Sequence, residues 1–192
     1  MIASLIERIL TAALPAAEAH CDTADGPAVS DGRRSLESGE VAHSLKWIPA
    51  SGEDELRAVF ASTMAVRGLS EQAAEVADRL FLETLVRLHR LAEGVGFTGI
   101  QAEGAPVEPV IVEADRALDT GDLTPVLRLV PAERRDELSR RFLRAISKRA
   151  FPVDDVEAGR DFVAAYVDYF KYAEGHDHDH HAAVSPHCDA HS

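Results

Sequence analysis

The chain has 192 residues, 46% of them hydrophobic and 28% charged, which is enough for a single domain with a hydrophobic core. Asp and Glu outnumber Lys and Arg by 33 to 20, so nucleic acid is not an expected partner, because phosphate binding needs concentrated Lys and Arg. No run of about 18 apolar residues occurs, which argues against an integral membrane helix, and two cysteines are too few for a disulfide scaffold.

The first 19 residues fit either of two structures. Residues 17–19 have the small residues of a signal-peptidase site after an apolar stretch, which would place the protein in the periplasm or outside the cell. Alternatively, residues 2–14 form a short helix that packs on a cytoplasmic domain. Cleavage after residue 19 would make His20 the amino terminus and offer its amine, its imidazole and the thiolate of Cys21 to a metal.

The middle of the chain predicts an internal duplication. Residues 34–67 match residues 116–149 at a constant offset of 82, and after one deletion the match continues at an offset of 81. We therefore predict two copies of one helical unit, about residues 31–94 and 113–175, in a single domain over residues 20–175. Two copies form a pseudo-twofold domain more naturally than a solenoid, which needs three or more repeats.

Start and stop signals predict helices in both copies. The signals are the stop residues Gly39 and Pro49 and the N-cap candidates Ser51, Ser70, Asp154 and Asp155. Ser70 would begin a long helix over residues 71–93. The one strand-like stretch, residues 107–112, lies in the linker and is interrupted by Pro109. We predict an all-α fold, a single bundle of about eight helices.

The long helix of the first copy is predicted to be amphipathic. A charged arc would face solvent, and it contains Arg79, Glu83, Arg87 and Arg90. The opposite arc would be buried, and it contains Ala77, Leu80, Phe81, Leu85, Leu88 and Leu91. Spacing favours an ion pair of Glu83 with the arginines.

His89 lies inside the apolar border of this helix. Its counterpart in the second copy is Phe170, so the position belongs to the core and one copy has placed an imidazole there. Glu93 follows one turn later, and this spacing puts both side chains on one face, as two metal ligands on a helix require. The alternative is a core histidine with a satisfied hydrogen bond.

The end of the chain, residues 176–192, lacks apolar periodicity and is predicted to be a disordered tail. Its closely spaced imidazoles suit Zn²⁺, Ni²⁺ or Cu²⁺, and aspartates add oxygen ligands. The alternatives are an engineered tag and a solvated tail without a specific role. The candidate metal-gathering side chains are those of His176, His178, His180, His181, His187, Cys188 and His191.

Three segments together resemble an uncharacterised bacterial family of helical domains. They are residues 20–27, which read His-Cys-Asp-Thr-Ala-Asp-Gly-Pro, residues 83–94 and residues 155–160. The resemblance covers residues 20–175 and implies a helical domain with a shared site built from the first two segments. Members of the family often carry an export signal directly before His-Cys-Asp-Thr, but the resemblance implies no established activity.

The sequence His20-Cys21-Asp22 also resembles the nickel hook of nickel superoxide dismutase. This likeness implies metal binding at the first two positions. The second thiolate of the hook is missing, with Asp25 in its place, so the likeness does not extend to dismutation.

We therefore expect a transition-metal-binding protein with a mixed His, Cys and carboxylate site for nickel, zinc or copper. The candidate ligands are His20, Cys21, His89, Glu93 and Glu83, with Asp22 and Asp25 as outer acceptors that orient an imidazole. Two alternatives stay open: a metal-dependent redox enzyme of the superoxide-handling type that uses this site, and a non-catalytic interaction protein in which these residues only pack. A homo-oligomer is compatible with either.

Overall fold

The computed structural model describes residues 23–104 and 107–176, and these residues form an all-α domain. Its eight α-helices are α1 Pro27–Ser38, α2 Ala42–Leu45, α3 Glu53–Val66, α4 Glu71–Ala92, α5 Pro109–Thr120, α6 Thr124–Leu129, α7 Arg135–Lys148 and α8 Val156–Glu174. Short 3₁₀ turns, Ala50–Gly52 and Ala132–Arg134, precede α3 and α7. An isolated parallel bridge joins Thr23 to Gln101. The predicted fold class is confirmed.

The two halves use the same packing scheme. In the first half α1 and α3 pack on the long helix α4, and in the second half α5 and α7 pack on the long helix α8. Helices α1, α2 and α3 and the first 3₁₀ turn all recur in the second half, with start positions that are 82 residues later. The duplication itself stays a prediction, but its helix boundaries agree with the structure.

A recurring hydrogen bond fixes the packing of each half. The guanidinium of Arg67, at the end of α3, donates to the carbonyl of Leu36, and that of Arg149, at the end of α7, donates to the carbonyl of Leu118. Because each carbonyl lies in the last turn of α1 or α5, the bond satisfies an acceptor that the helix itself leaves open.

The predicted helix boundaries are confirmed at three of the signals. Ser70 caps α4 by accepting from the backbone N–H of Ala73 at 3.1 Å, and Asp155 caps α8 by accepting from that of Ala158 at 3.0 Å. Gly39 follows α1 in the left-handed conformation, with φ of 78°.

One local prediction is wrong. Ser51 is not the N-cap of α3, because it lies inside the 3₁₀ turn and α3 follows Gly52 without a side-chain cap. The strand-like stretch at residues 107–112 is helical from Pro109 onward, in agreement with the all-α prediction. Its Pro109 is the first residue of α5, where the missing N–H costs nothing and the fixed φ favours the helix.

The predicted arcs of α4 also need correction. Arg90 is fully buried instead of facing solvent, while Leu80 and Leu91 are 54% and 58% exposed. The buried side of α4 is therefore rotated relative to the prediction, because α1 and α3 pack on it from two directions. Phe81 and Leu85 are fully buried, as predicted.

The halves meet where residues 46–49 cross α8. The guanidinium of Arg160 donates to the carbonyl of Ile48 at 3.0 Å, and the ring of Trp47 meets that of Tyr166 edge-on at 5.9 Å. Gly159 permits this approach, because a Cβ there would lie 2.9 Å from the Cβ of Lys46. Among the described residues no helix is both long and apolar enough to cross a membrane.

Candidate functional site

A cleft of about 960 Å³ lies between the two halves. The segment 46–49 and the end of α4 form one side, and α7 and α8 form the other. The lining residues are Lys46, Trp47, Ile48, Pro49, His89, Ala92, Glu93, Glu137, Arg140, Arg141, Arg144, Arg160, Val163, Ala164, Val167, Asp168, Lys171 and His176. This volume is in the range of small-molecule sites, about 300–1,000 Å³.

His89 is held in the wall of this cleft by its own half. The residue is 4% exposed, and its Nδ1 lies 2.8 Å from the carbonyl oxygen of Trp47. Because a carbonyl only accepts, Nδ1 carries the proton and donates it. In the neutral imidazole Nε2 then has a lone pair, and this buried atom makes no hydrogen bond within the described residues.

Glu93 faces the same nitrogen. Its Oε2 lies 4.0 Å from Nε2 of His89 and is likewise buried without a hydrogen bond in the described part of the chain. Its other oxygen, Oε1, lies 3.6 Å from Nζ of Lys171 on the opposite wall. The predicted His89–Glu93 pair therefore exists, and it presents two acceptor atoms to each other across a gap that is too long for a hydrogen bond.

The segment that holds His89 is itself fixed by Asp31. One carboxylate oxygen of Asp31 accepts from Nε1 of Trp47 at 2.8 Å and lies 2.8 Å from Nζ of Lys46. The ring of Trp47 also meets that of His89 edge-on, with centroids 5.8 Å apart. A metal-binding histidine is commonly oriented in this way, with its second nitrogen on a backbone carbonyl.

An ion-pair network closes the far end of the cleft. Arg160 of α8 reaches both Glu53 at the start of α3 and Glu157 in its own helix. The hydrogen bond from Arg160 is the main reason that the pKa of Glu53 lies below its ordinary value, against the opposing effect of burial. The Arg160–Glu53 pair connects the two halves through partly buried side chains, whereas the side chain of Glu157 is 81% exposed.

The other predicted ligands lie apart from this pair. Glu83 is absent from the cleft lining, and its Oε1 accepts from Nε of Arg79 at 2.8 Å, which confirms the expected ion pair. Asp25 is exposed and accepts a long hydrogen bond, 3.4 Å, from the backbone N–H of Gly104. His176 does line the cleft, and its Nε2 lies 3.7 Å from Oε2 of Glu174.

Several predicted positions lie outside the described residues, so the structure places none of them. They are the leader at residues 1–19 and the candidates His20, Cys21, Asp22, His178, His180, His181, His187, Cys188 and His191. Within residues 23–104 and 107–176, no group of three or more His, Cys, Asp or Glu side chains could hold a metal ion.

Sequence reasoning missed Lys171 and the arginines of α7. The alignment of the two copies carried a signal for Lys171, because its counterpart at the offset of 81 is the basic residue Arg90. No sequence pattern indicated that Trp47 would orient His89, since Trp47 does so through its backbone carbonyl.

Comparison with known proteins gives a family and no activity. The model of a family of unknown function (DUF6448) matches residues 25–172. No curated protein matches the chain. No solved structure matches it.

Proposed function

Since the chain belongs to this family of unknown function, we propose from the geometry of its cleft that it is a transition-metal-binding protein, with His89 and Glu93 as two of the ligands. The observation that carries the proposal is the approach of Nε2 of His89 to Oε2 of Glu93, two buried polar atoms that make no hydrogen bond within the described residues. Nickel, zinc and copper all accept such nitrogen and oxygen donors.

The electrostatics of the pair favour a cation between the two atoms. A cation bound between Nε2 and Oε2 would satisfy both atoms at once, and burial makes such polar atoms costly when nothing satisfies them. In a tetrahedral zinc site, bonds of about 2.1 Å place neighbouring ligand atoms about 3.4 Å apart. The two atoms of this pair lie 4.0 Å apart, close to that separation.

Two further ligands would complete the site. His20 and Cys21 are the candidates, because they precede the first described residue, Thr23, by only a few positions. Thr23 is buried and bridges to Gln101, so the described chain begins against the connection that follows the helix carrying His89. The histidine-rich tail would gather metal, since His176 lines the cleft and the remaining histidines follow it.

The proposal is tested by metal analysis of a full-length protein whose tail is silenced. In this background His178, His180, His181, His187 and His191 are replaced by Asn, and Cys188 by Ser. After equilibration with zinc and dialysis, we expect about one bound equivalent, and cobalt substitution should give the visible absorption of a tetrahedral site. A content below about a tenth of an equivalent for zinc, nickel and copper alike would overturn the proposal.

Matched variants test whether the bound metal lies in the cleft. Glu93→Gln keeps the shape of the side chain, and His89→Phe installs the residue of the second half; each should weaken metal binding about 10- to 100-fold. His43→Gln is the control, because it removes one histidine that lies outside the cleft lining. Circular dichroism verifies that each variant is folded, and equal affinities in all three would show that the metal binds elsewhere.

A further inference from the structure

The cleft concentrates positive charge on an acidic protein. The chain has a net charge of −13, yet the cleft is lined by six Lys or Arg residues and only three Asp or Glu residues. The basic residues are Lys46, Arg140, Arg141, Arg144, Arg160 and Lys171. Lys46, Arg160 and Lys171 are each paired with a carboxylate, of Asp31, Glu53 and Glu93 respectively, so the positive charge that is left over lies among the arginines of α7. A concave site with a local excess of one sign and apolar walls raises the local concentration of ligands of the opposite sign.

The excess of positive charge lies where α7 faces α8. Arg140, Arg141 and Arg144 share two carboxylates, because Glu137 pairs with the first two and Asp168 pairs with the last two. Three guanidinium groups and two carboxylates leave one positive charge over within this cluster. Arg144 is the most weakly held, with its Nη1 3.9 Å from Asp168 and its side chain 65% exposed.

Apolar groups surround these charges. The cleft is also lined by Trp47, Ile48, Ala92, Val163 and Val167, and Trp47 is fixed edge-on against Tyr166 at 5.9 Å. A ligand that fits both features has a compact apolar body and one anionic group. A guanidinium presents paired N–H donors that match the two oxygens of a carboxylate.

We infer that this cleft binds a small organic carboxylate, with the carboxylate on Arg144 and Arg140 and the apolar body against Trp47 and the α8 wall. The inference does not need the metal, because the arginine cluster belongs to α7 and α8 and the His89–Glu93 pair belongs to α4. Charge complementarity selects the anion, and the apolar lining selects an organic acid over an inorganic one.

Tryptophan fluorescence can test the inference directly, because Trp47 is the only tryptophan in the chain and lines the cleft. The full-length protein, stripped of metal with a chelator, is titrated with benzoate, benzyl alcohol and inorganic phosphate. We expect a saturable change with benzoate and an affinity at least about tenfold lower for the other two probes, since each lacks one of the two required features. Equal responses to benzoate and benzyl alcohol, or no saturable response, would overturn the inference.

A pair of arginine variants locates the anion. Arg144→Gln should weaken benzoate binding about tenfold, the loss of one charge-assisted hydrogen bond. Arg79→Gln is the matched control, because Arg79 is equally exposed and ion-paired but lies on α4 outside the cleft lining. If both variants bind benzoate like the wild type, the arginine wall is not the site. Because the titration uses protein stripped of metal, saturable benzoate binding there separates this result from the metal proposal.

Discussion

The ends of the two long helices, α4 and α8, perform different tasks in one architecture. Phe170 near the end of α8 is buried and stacks on Tyr166, with ring centroids 4.4 Å apart. At the matching position of α4, His89 points a buried nitrogen into the cleft. In the second half this position therefore holds an aromatic ring that packs in the core. In the first half the same position holds an imidazole. Such a local loss of packing is typical of functional sites.

A second difference concerns how tightly each half is packed. Phe81 of α4 is fully buried and its ring lies 5.3 Å from that of Phe60, whereas its counterpart Phe162 of α8 is partly buried between Phe151 and Tyr166. The first half thus has a buried aromatic pair, Phe60 and Phe81, in addition to its polar helix end. This contrast predicts the largest difference in the free energy of unfolding between matched variants of the two halves.

Phe81→Ala should destabilise the protein by about 4 kcal/mol, because it leaves a closed cavity in the core. Phe162→Ala should cost about half as much, since solvent already reaches part of the ring. Urea unfolding followed by circular dichroism measures both, with Leu69→Ala as the control at a side chain that is 77% exposed. Equal losses for the two phenylalanine variants would contradict the contrast between the halves.

Substitution of the arginine that recurs at the ends of α3 and α7 should change the free energy of unfolding by an intermediate amount. Arg67 makes two hydrogen bonds with Asp78, of 2.8 and 2.9 Å, in addition to its bond with the carbonyl of Leu36. Arg149 keeps the bond to the equivalent carbonyl but pairs with Asp119, whose side chain is 76% exposed. A paired and partly buried guanidinium contributes more than an exposed pair.

We therefore expect Arg67→Ala to cost about 2 kcal/mol and Arg149→Ala less than about 1 kcal/mol. Unfolding in urea at low and high salt measures both, and the smaller loss should also be the more sensitive to salt. A larger loss at Arg149 would show that the carbonyl bond, and not the carboxylate pair, dominates.

The sequence predicted the helices well because their boundaries depend on local chemistry. Ser70 and Asp155 cap helices through their own side chains, and Gly39 ends one through its freedom at positive φ. The wrong prediction of the buried side of α4 has a different cause. The burial of Arg90 depends on what packs against α4, and a helical wheel contains no information about neighbours.

The candidate site was predictable only in part for the same reason. His89 and Glu93 are one helical turn apart, so their proximity followed from spacing alone. His89 is fixed by the carbonyl of Trp47, which lies 42 residues earlier in the chain. Glu93 pairs with Lys171, which lies 78 residues later. The Lys171 contact arises only when the two halves pack together, and the Trp47 contact only when the segment before α3 packs on α4. No local pattern encodes either of them.

The ion pair between the two halves should contribute the smallest of these effects on the free energy of unfolding, and its pH dependence makes the test specific. Glu53 begins α3 and pairs with Arg160 of α8, but the residue at the matching position of the second half is Arg135, so the pair has no repeat. Because Arg160 lowers the pKa of Glu53 in the folded state, this carboxylate stabilises the fold above its unfolded pKa, about 4.3, and loses that contribution as the pH falls through the folded pKa.

Glu53→Gln should therefore cost about 1 kcal/mol at pH 6, and the difference from the wild type should shrink as the pH falls through the folded pKa of Glu53, because Gln does not titrate. Urea unfolding at several pH values measures this difference, in which the other carboxylates cancel since both proteins carry them. Asp54→Asn removes an exposed negative charge from the same helical turn and controls for the helix dipole. A Glu53→Gln cost that is the same at pH 6 and pH 3 would show that the two halves are held together by packing and by the Arg160 bond to the carbonyl of Ile48, with no contribution from the charge of Glu53.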